Sequence, residues 1–148
     1  LLIESSFTIS VAESCSSGFI ASELTSISGS SSYFRGGIIA YNDEIKVNIL
    51  DINKDTIIKE SSVSSTVAEL MAKNVARRFN TDFAISTTGY ASSSLQNTSP
   101  VGTVFIAVKT PMKTIVKQFL FSGSRKIIID QVKDKAFEML LEEIKKIK

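Results

Sequence analysis

TISVAESCSSG, residues 8–18, changes pattern twice within eleven residues, and those two changes give the start of the fold. Ile9-Ser10-Val11-Ala12 is a short, mostly apolar run of the kind that makes a buried strand. Glu13, Ser14, Cys15, Ser16, Ser17 and Gly18 then crowd polar and nucleophilic side chains into one turn, and Ile20, Leu24 and Ile27 follow at helical spacing. A strand, a tight turn and a helix N-terminus would set backbone N–H groups and a positive dipole end beside two nucleophiles. Two readings stand at this point: an active-site turn, or a turn whose Ser16 or Ser17 merely caps the helix.

Beyond the turn, the pattern predicts a helix over 17–27 that stops at Gly29, then a polar Ser30-Ser31-Ser32 loop. YFRGGIIAY, residues 33–41, reads as a strand whose Gly36-Gly37 pair marks a bulge or a close approach by ligand or backbone. Asn42-Asp43-Glu44 has helix-start chemistry, with Ile45, Ile49 and Leu50 turned inward. Lys46 then falls in the first helical turn near Tyr41, where the dipole disfavours a cation, so a use beyond surface solvation is suggested. Residues 51–62 read as loop. Ser64 opens an amphipathic helix with the stripe Val67, Leu70, Met71, Val75 and Phe79, and Glu69, Lys73, Arg77 and Arg78 on its solvated face.

Residues 82–87 predict a buried strand leading into Thr88-Gly89, and residues 90–100 a surface loop rich in Ser, Asn and Thr. VGTVFIAVK, 101–109, suits a central strand, joined through Thr110-Pro111-Met112-Lys113 to an antiparallel partner over 114–121. A tight loop at 122–125 precedes a final helix over 126–146. The order β-α-β-α-α-β-β-β-α implies a single α/β domain. Its mixed sheet has a parallel βαβ portion plus an antiparallel hairpin, with helices packed on it. Polar clusters at 14–17, 41–46, 88–89 and 122–125 all fall at strand ends, where ligands of open α/β sheets gather.

A chain of 148 residues fits one domain, and 43% apolar with 22% charged residues describes an ordinary globular protein. A net charge of +2 without a basic stripe gives nucleic-acid binding no support. Apolar runs are too short to span a bilayer and no signal peptide is recognisable, so neither membrane nor secretion is expected. A single cysteine excludes an internal disulfide and fits a reducing cytoplasm. The chain has no histidine, which removes Ser-His-Asp and Cys-His catalysis and the commonest zinc ligand. Acid–base chemistry near neutrality would rest on Lys, Tyr, Asp, Glu or Cys, and no cluster suggests a metal.

AESCSSG, GSSSYFRGGIIAYNDEIKVNIL, the STTG turn, PVGTVFIAV and the GSR loop together resemble the C-terminal domain of CinA proteins, over nearly the whole chain and in the same order. The resemblance implies a stand-alone nicotinamide-nucleotide amidohydrolase of the cytoplasm. It would convert nicotinamide mononucleotide and water to nicotinate mononucleotide and ammonia in pyridine nucleotide salvage, without metal or cofactor and as a homo-oligomer. Carried over position by position, it implies Ser14, Tyr41, Lys46 and Thr88 as catalytic residues. Arg125, Ser16, Ser17, Gly18, Ser31 and Gly89 would bind substrate. The sequence departs from the family at Ser17, where a second glycine is usual, and in TGYASSSLQNTSPVG, which replaces a glycine-rich loop bearing a lysine.

On this reading Ser14 attacks, Lys46 assisted by Tyr41 takes its proton, and N–H groups of residues 16–18 hold the oxyanion. Thr88 would orient the amide and Arg125 the phosphate. Three alternatives stay open: water activated by Lys46 with Ser14 only positioning substrate, Cys15 as nucleophile, and a binding or structural domain that kept the fold without catalysis.

Overall fold

A computed structural model gives the placement of residues 1–147. The strands are β1 (Ile9–Glu13), β2 (Phe34–Ile39), β3 (Phe83–Gly89), β4 (Thr103–Lys109) and β5 (Thr114–Leu120). The helices are α1 (Leu2–Ser5), α2 (Phe19–Thr25), α3 (Asp43–Asn48), α4 (Lys54–Glu60), α5 (Ser65–Phe79) and α6 (Arg125–Ile147), with a short 3-10 turn at Ser30–Ser32. The five strands form one sheet in the order β2-β1-β3-β4-β5. β1 pairs in parallel with β2 and β3, while β3-β4 and β4-β5 are antiparallel. The expected mixed α/β sheet is the one observed.

Strand alternation sorts the two faces. Ile9, Val11, Phe83, Ile85, Val104, Ile106 and Val108 point to the side covered by α2 and α6, where Ile20, Leu24, Ile128, Val132 and Leu140 complete a large apolar cluster. The opposite face carries small residues, Ala12, Ala84 and Ala107, and α5 lies on it with Ala68, Ala72, Met71 and Val75. Small residues on both partners bring α5 close enough for the Ser86 hydroxyl to donate to the Ala68 carbonyl at 2.6 Å. That bond satisfies a buried hydroxyl on the face that α5 covers.

Two helices went unread in the sequence. Residues 51–62 are not all loop: α4 occupies Lys54–Glu60, started by Asn53, whose side chain accepts from the Asp55 N–H. It buries only Ile57 while Ile58 is exposed, so no apolar stripe announced it. α1 has four residues and buries none. The Gly36-Gly37 pair follows the bulge reading. The β1-β2 register slips between Ile9 and Ser10, and a Cβ at Gly37 would lie 2.4 Å from a Val11 methyl. Gly37 thus admits the neighbouring strand β1, and Gly36, where a Cβ would lie 2.8 Å from Phe79, admits that ring of α5.

Candidate active site

β1 ends at Glu13, and the ladder continues one residue further because the Ser14 N–H donates to the Thr87 carbonyl at 3.0 Å. Ser14 is thereby held at the carboxyl end of the parallel strands. The next turn reverses sharply through Ser17 (φ 53°) and Gly18 (φ 97°), both left-handed. A serine there carries backbone strain that glycine would not.

The start of α2 is closed by Glu13. Its carboxylate is completely buried and accepts from the Ile20 N–H at 3.0 Å, the Ala21 N–H at 2.9 Å and the Ser16 hydroxyl at 2.6 Å. Because the single Ser16 proton goes to Glu13, the 2.7 Å contact between Ser16 and Thr87 is donated by Thr87. Neither Ser16 nor Ser17 is the helix cap; an acid seven residues before Ile20 does that work. A lone Glu at a strand end gave the sequence no signal of it.

Across from Ser14 stands Lys46, on α3, whose Asn42 cap accepts from the Ile45 N–H. Lys46 is 2% exposed, with Nζ 3.4 Å from Ser14 Oγ and 3.6 Å from Asp43 Oδ1. Burial pushes its pKa below the usual lysine value, and the Asp43 carboxylate partly restores it. An amine less readily charged than ordinary lysine, next to a serine hydroxyl, can take that hydroxyl's proton.

These groups open on a cavity of about 360 Å³ lined by Ser14, Cys15, Tyr41, Asp43, Lys46, Ser62, Thr88, Gly89 and Arg125, with Tyr90, Ser92, Gln96 and Asn97 from the 90–100 loop. Thr88 is buried and lines the cavity, and its hydroxyl donates to the Ser62 carbonyl at 2.7 Å, so that oxygen can act toward a ligand only as an acceptor. Arg125, the first residue of α6, donates to the Tyr41 hydroxyl at 2.8 Å and the Ser92 hydroxyl at 3.0 Å. Among the described residues Tyr41 makes no hydrogen bond to Lys46; its partner is Arg125. Cys15 lines the same cavity, but burial pushes its thiol up to about 12, so it stays protonated at neutral pH.

Ser14, Tyr41, Lys46, Thr88, Gly89 and Arg125 therefore meet in one pocket, from positions spread over more than a hundred residues of chain. Ser16, Ser17, Gly18 and Ser31 do not line it. The Ser16 side chain is committed to Glu13, and the Ser17 N–H is spent on the Ser14 carbonyl at 3.2 Å. Ser31 lies in the 3-10 turn before β2, at the opposite edge of the sheet from Ser14, because β1 and β2 run parallel. The residues unread in the sequence are Glu13 and Thr87 behind the turn, and Asp43, Ser62, Gln96 and Asn97 on the cavity wall. Asp43 alone had a cue, its i, i+3 spacing to Lys46. A larger hollow of about 680 Å³ between α1, α2 and α6 is lined by Leu2, Leu24, Phe137 and Leu141 and holds none of these polar groups.

Fold and pocket together define an α/β domain whose buried lysine and serine meet where the parallel strands end. The profile of the CinA C-terminal domain matches residues 1–144, and the chain belongs to that family. A CinA-like protein of Flavobacterium psychrophilum is 48% identical over 147 residues, covering 99% of this chain and 35% of its own length. A CinA-like protein of Desulfotalea psychrophila is 42% identical, covering 86% of this chain and 31% of its own. The chain thus spans about a third of these relatives. Among solved structures, the competence damage-inducible protein A of Klebsiella pneumoniae aligns with a TM-score of 0.93 at 26% identity, over 97% of this chain and 89% of its own. The competence/damage inducible protein CihA of Agrobacterium tumefaciens aligns at 0.88 and 30% identity, over 95% and 87%.

Proposed function

We propose that this domain hydrolyses the carboxamide of nicotinamide mononucleotide to nicotinate mononucleotide and ammonia. The observation that carries the reading is the 3.4 Å approach of the buried Lys46 amine to Ser14 Oγ inside a polar cavity, in a chain without histidine. Lys46 takes the Ser14 proton as Oγ attacks the carboxamide carbon. The resulting ammonium returns that proton to the amide nitrogen, which leaves as ammonia and a serine ester remains. Water, deprotonated by Lys46, then attacks the ester, and that proton goes back to Ser14 as the carboxylic acid departs; the acid ionises and its proton ends on the released ammonia.

The N-terminus of α2 is engaged by Glu13, so the oxyanion is assigned to the N–H of Cys15, the residue immediately after the nucleophile and one that lines the cavity. Thr88, its own proton committed to Ser62, accepts from the carboxamide N–H. Arg125 takes the phosphate through its planar fork, and Tyr41 holds that fork in place. No metal or cofactor enters this scheme.

Incubating the chain with nicotinamide mononucleotide and measuring ammonia tests it. Release that disappears in Ser14→Ala and Lys46→Ala supports the scheme. Binding of the nucleotide without ammonia release replaces it with a nucleotide-binding domain.

A further inference from the structure

Among the described residues Asp43 is the sole acidic side chain on the wall of the pocket, and nothing in the scheme above uses it. It is the first residue of α3, one helical turn before Lys46, so the two side chains lie on the same face. Its Oδ1 stands 3.6 Å from Lys46 Nζ, which also lies 3.4 Å from Ser14 Oγ, so the amine contacts both groups. The two partners differ in solvent contact: the Lys46 side chain is 3% exposed and that of Asp43 58%. The acid therefore bridges a buried amine to water.

We propose that Asp43 is a positioning residue for the reaction. It holds the Lys46 amine against Ser14 and sets the fraction of that amine that is charged at a given pH. The proposal rests on Lys46 acting as base, but its physical content does not require turnover.

Every other element packed around Lys46 leaves this task to Asp43. The turn after β1 brings Cys15, whose thiol stays neutral, and Glu13, whose carboxylate is occupied by α2 and Ser16. The end of β2 brings Tyr41 and α6 brings Arg125, which are bonded to one another. The loop after β3 brings Tyr90, whose hydroxyl pairs with Thr98. Burial drives Lys46 toward its neutral form, and the Asp43 carboxylate opposes it, in line with this arrangement. Without Asp43 the amine would lose its proton at lower pH and also the contact that aims it.

The test has two readouts. The first is the NMR titration of Lys46 in the full chain labelled at lysine Cε, in Asp43→Asn and Asp43→Glu beside the wild type. The second is the pH profile of ammonia release from nicotinamide mononucleotide. Asp43→Asn should move the Lys46 midpoint down by roughly half to one pH unit, as for a partly exposed pair. The acidic limb of activity should follow it, while Asp43→Glu stays within a few tenths of the wild type. An unmoved midpoint in Asp43→Asn, or an equal fall in both variants, overturns the proposal. If the wild type releases no ammonia the proposed function fails, and the NMR midpoints still decide the role of Asp43.

Discussion

Ser14 and Lys46 come from different elements and meet through one short contact, whereas Cys15, the other nucleophile in the same turn, is held protonated by burial. Ser14→Ala and Lys46→Ala should therefore each lower ammonia release by orders of magnitude, since groups acting as one unit fail together. Cys15→Ala should keep most of it; a dead Cys15→Ala beside an active Ser14→Ala would name the wrong neighbour. The buried lysine also bears on stability. Its native pKa lies below its unfolded value of about 10.4, so between those two values the unfolded chain binds more protons. Stability should rise with pH across that window, and the penalty is fully present below it. Lys46→Met should abolish turnover yet raise Tm at neutral pH by about 2–4 °C, as expected for relief of about 1 kcal/mol in a domain of this size. A fall in Tm would mean that Asp43 and Ser14 more than repay the burial.

At the level of elements, the turn after β1 depends on Glu13 bracing α2 from behind. Glu13→Gln keeps the shape but presents an amide N–H₂ toward donors, leaving at least one buried N–H or hydroxyl unpaired. A loss of about 2–3 kcal/mol should follow, read as a lower urea midpoint at unchanged slope. Ser16→Ala, which spares both α2 N–H bonds, should cost less. This brace explains how far the sequence could be read. The long amphipathic α5 and the apolar β3 and β4 were legible because burial on a fixed face repeats along them. α4 was not, because seven residues with one buried side chain carry no period. The pocket members at strand ends were legible as residue types. The capping of α2 was not, because an acid that caps from before the turn leaves none of the usual spacing between cap and helix. The same gap bears on the expectation for residues 16–18, where the Ser16 hydroxyl and the Ser17 N–H already have partners.

For the whole molecule, the topology matters more than any single contact. β1, β2, β3 and β5 all end at the same edge of the sheet, which is why residues from Ser14 to Arg125 share one cavity. Arg125 ties three of the contributors, α6, the end of β2 and the 90–100 loop, through Tyr41 and Ser92. Arg125→Ala should raise KM for the nucleotide about ten-fold or more with a smaller effect on kcat, since the phosphate is remote from the bond broken. A collapse of kcat at unchanged KM would instead give Arg125 a part in the chemistry. The 90–100 loop is closed at its base by the Tyr90 N–H on the Thr103 carbonyl and the Gly102 N–H on the Tyr90 carbonyl. Inside, it is braced by its own Asn97, Ser94, Thr98 and Tyr90. The segment is pinned beyond its base as well, by Ser92 on Arg125, by Thr98 on Ser61 and by Ala91 in the apolar core, while Tyr90, Ser92, Gln96 and Asn97 form one wall of the chamber. The exposed tip, Ser93 to Gln96, can therefore change its side chains at little cost to the core, whereas a change at Ala91 would be felt by the frame that holds Ser14 and Lys46.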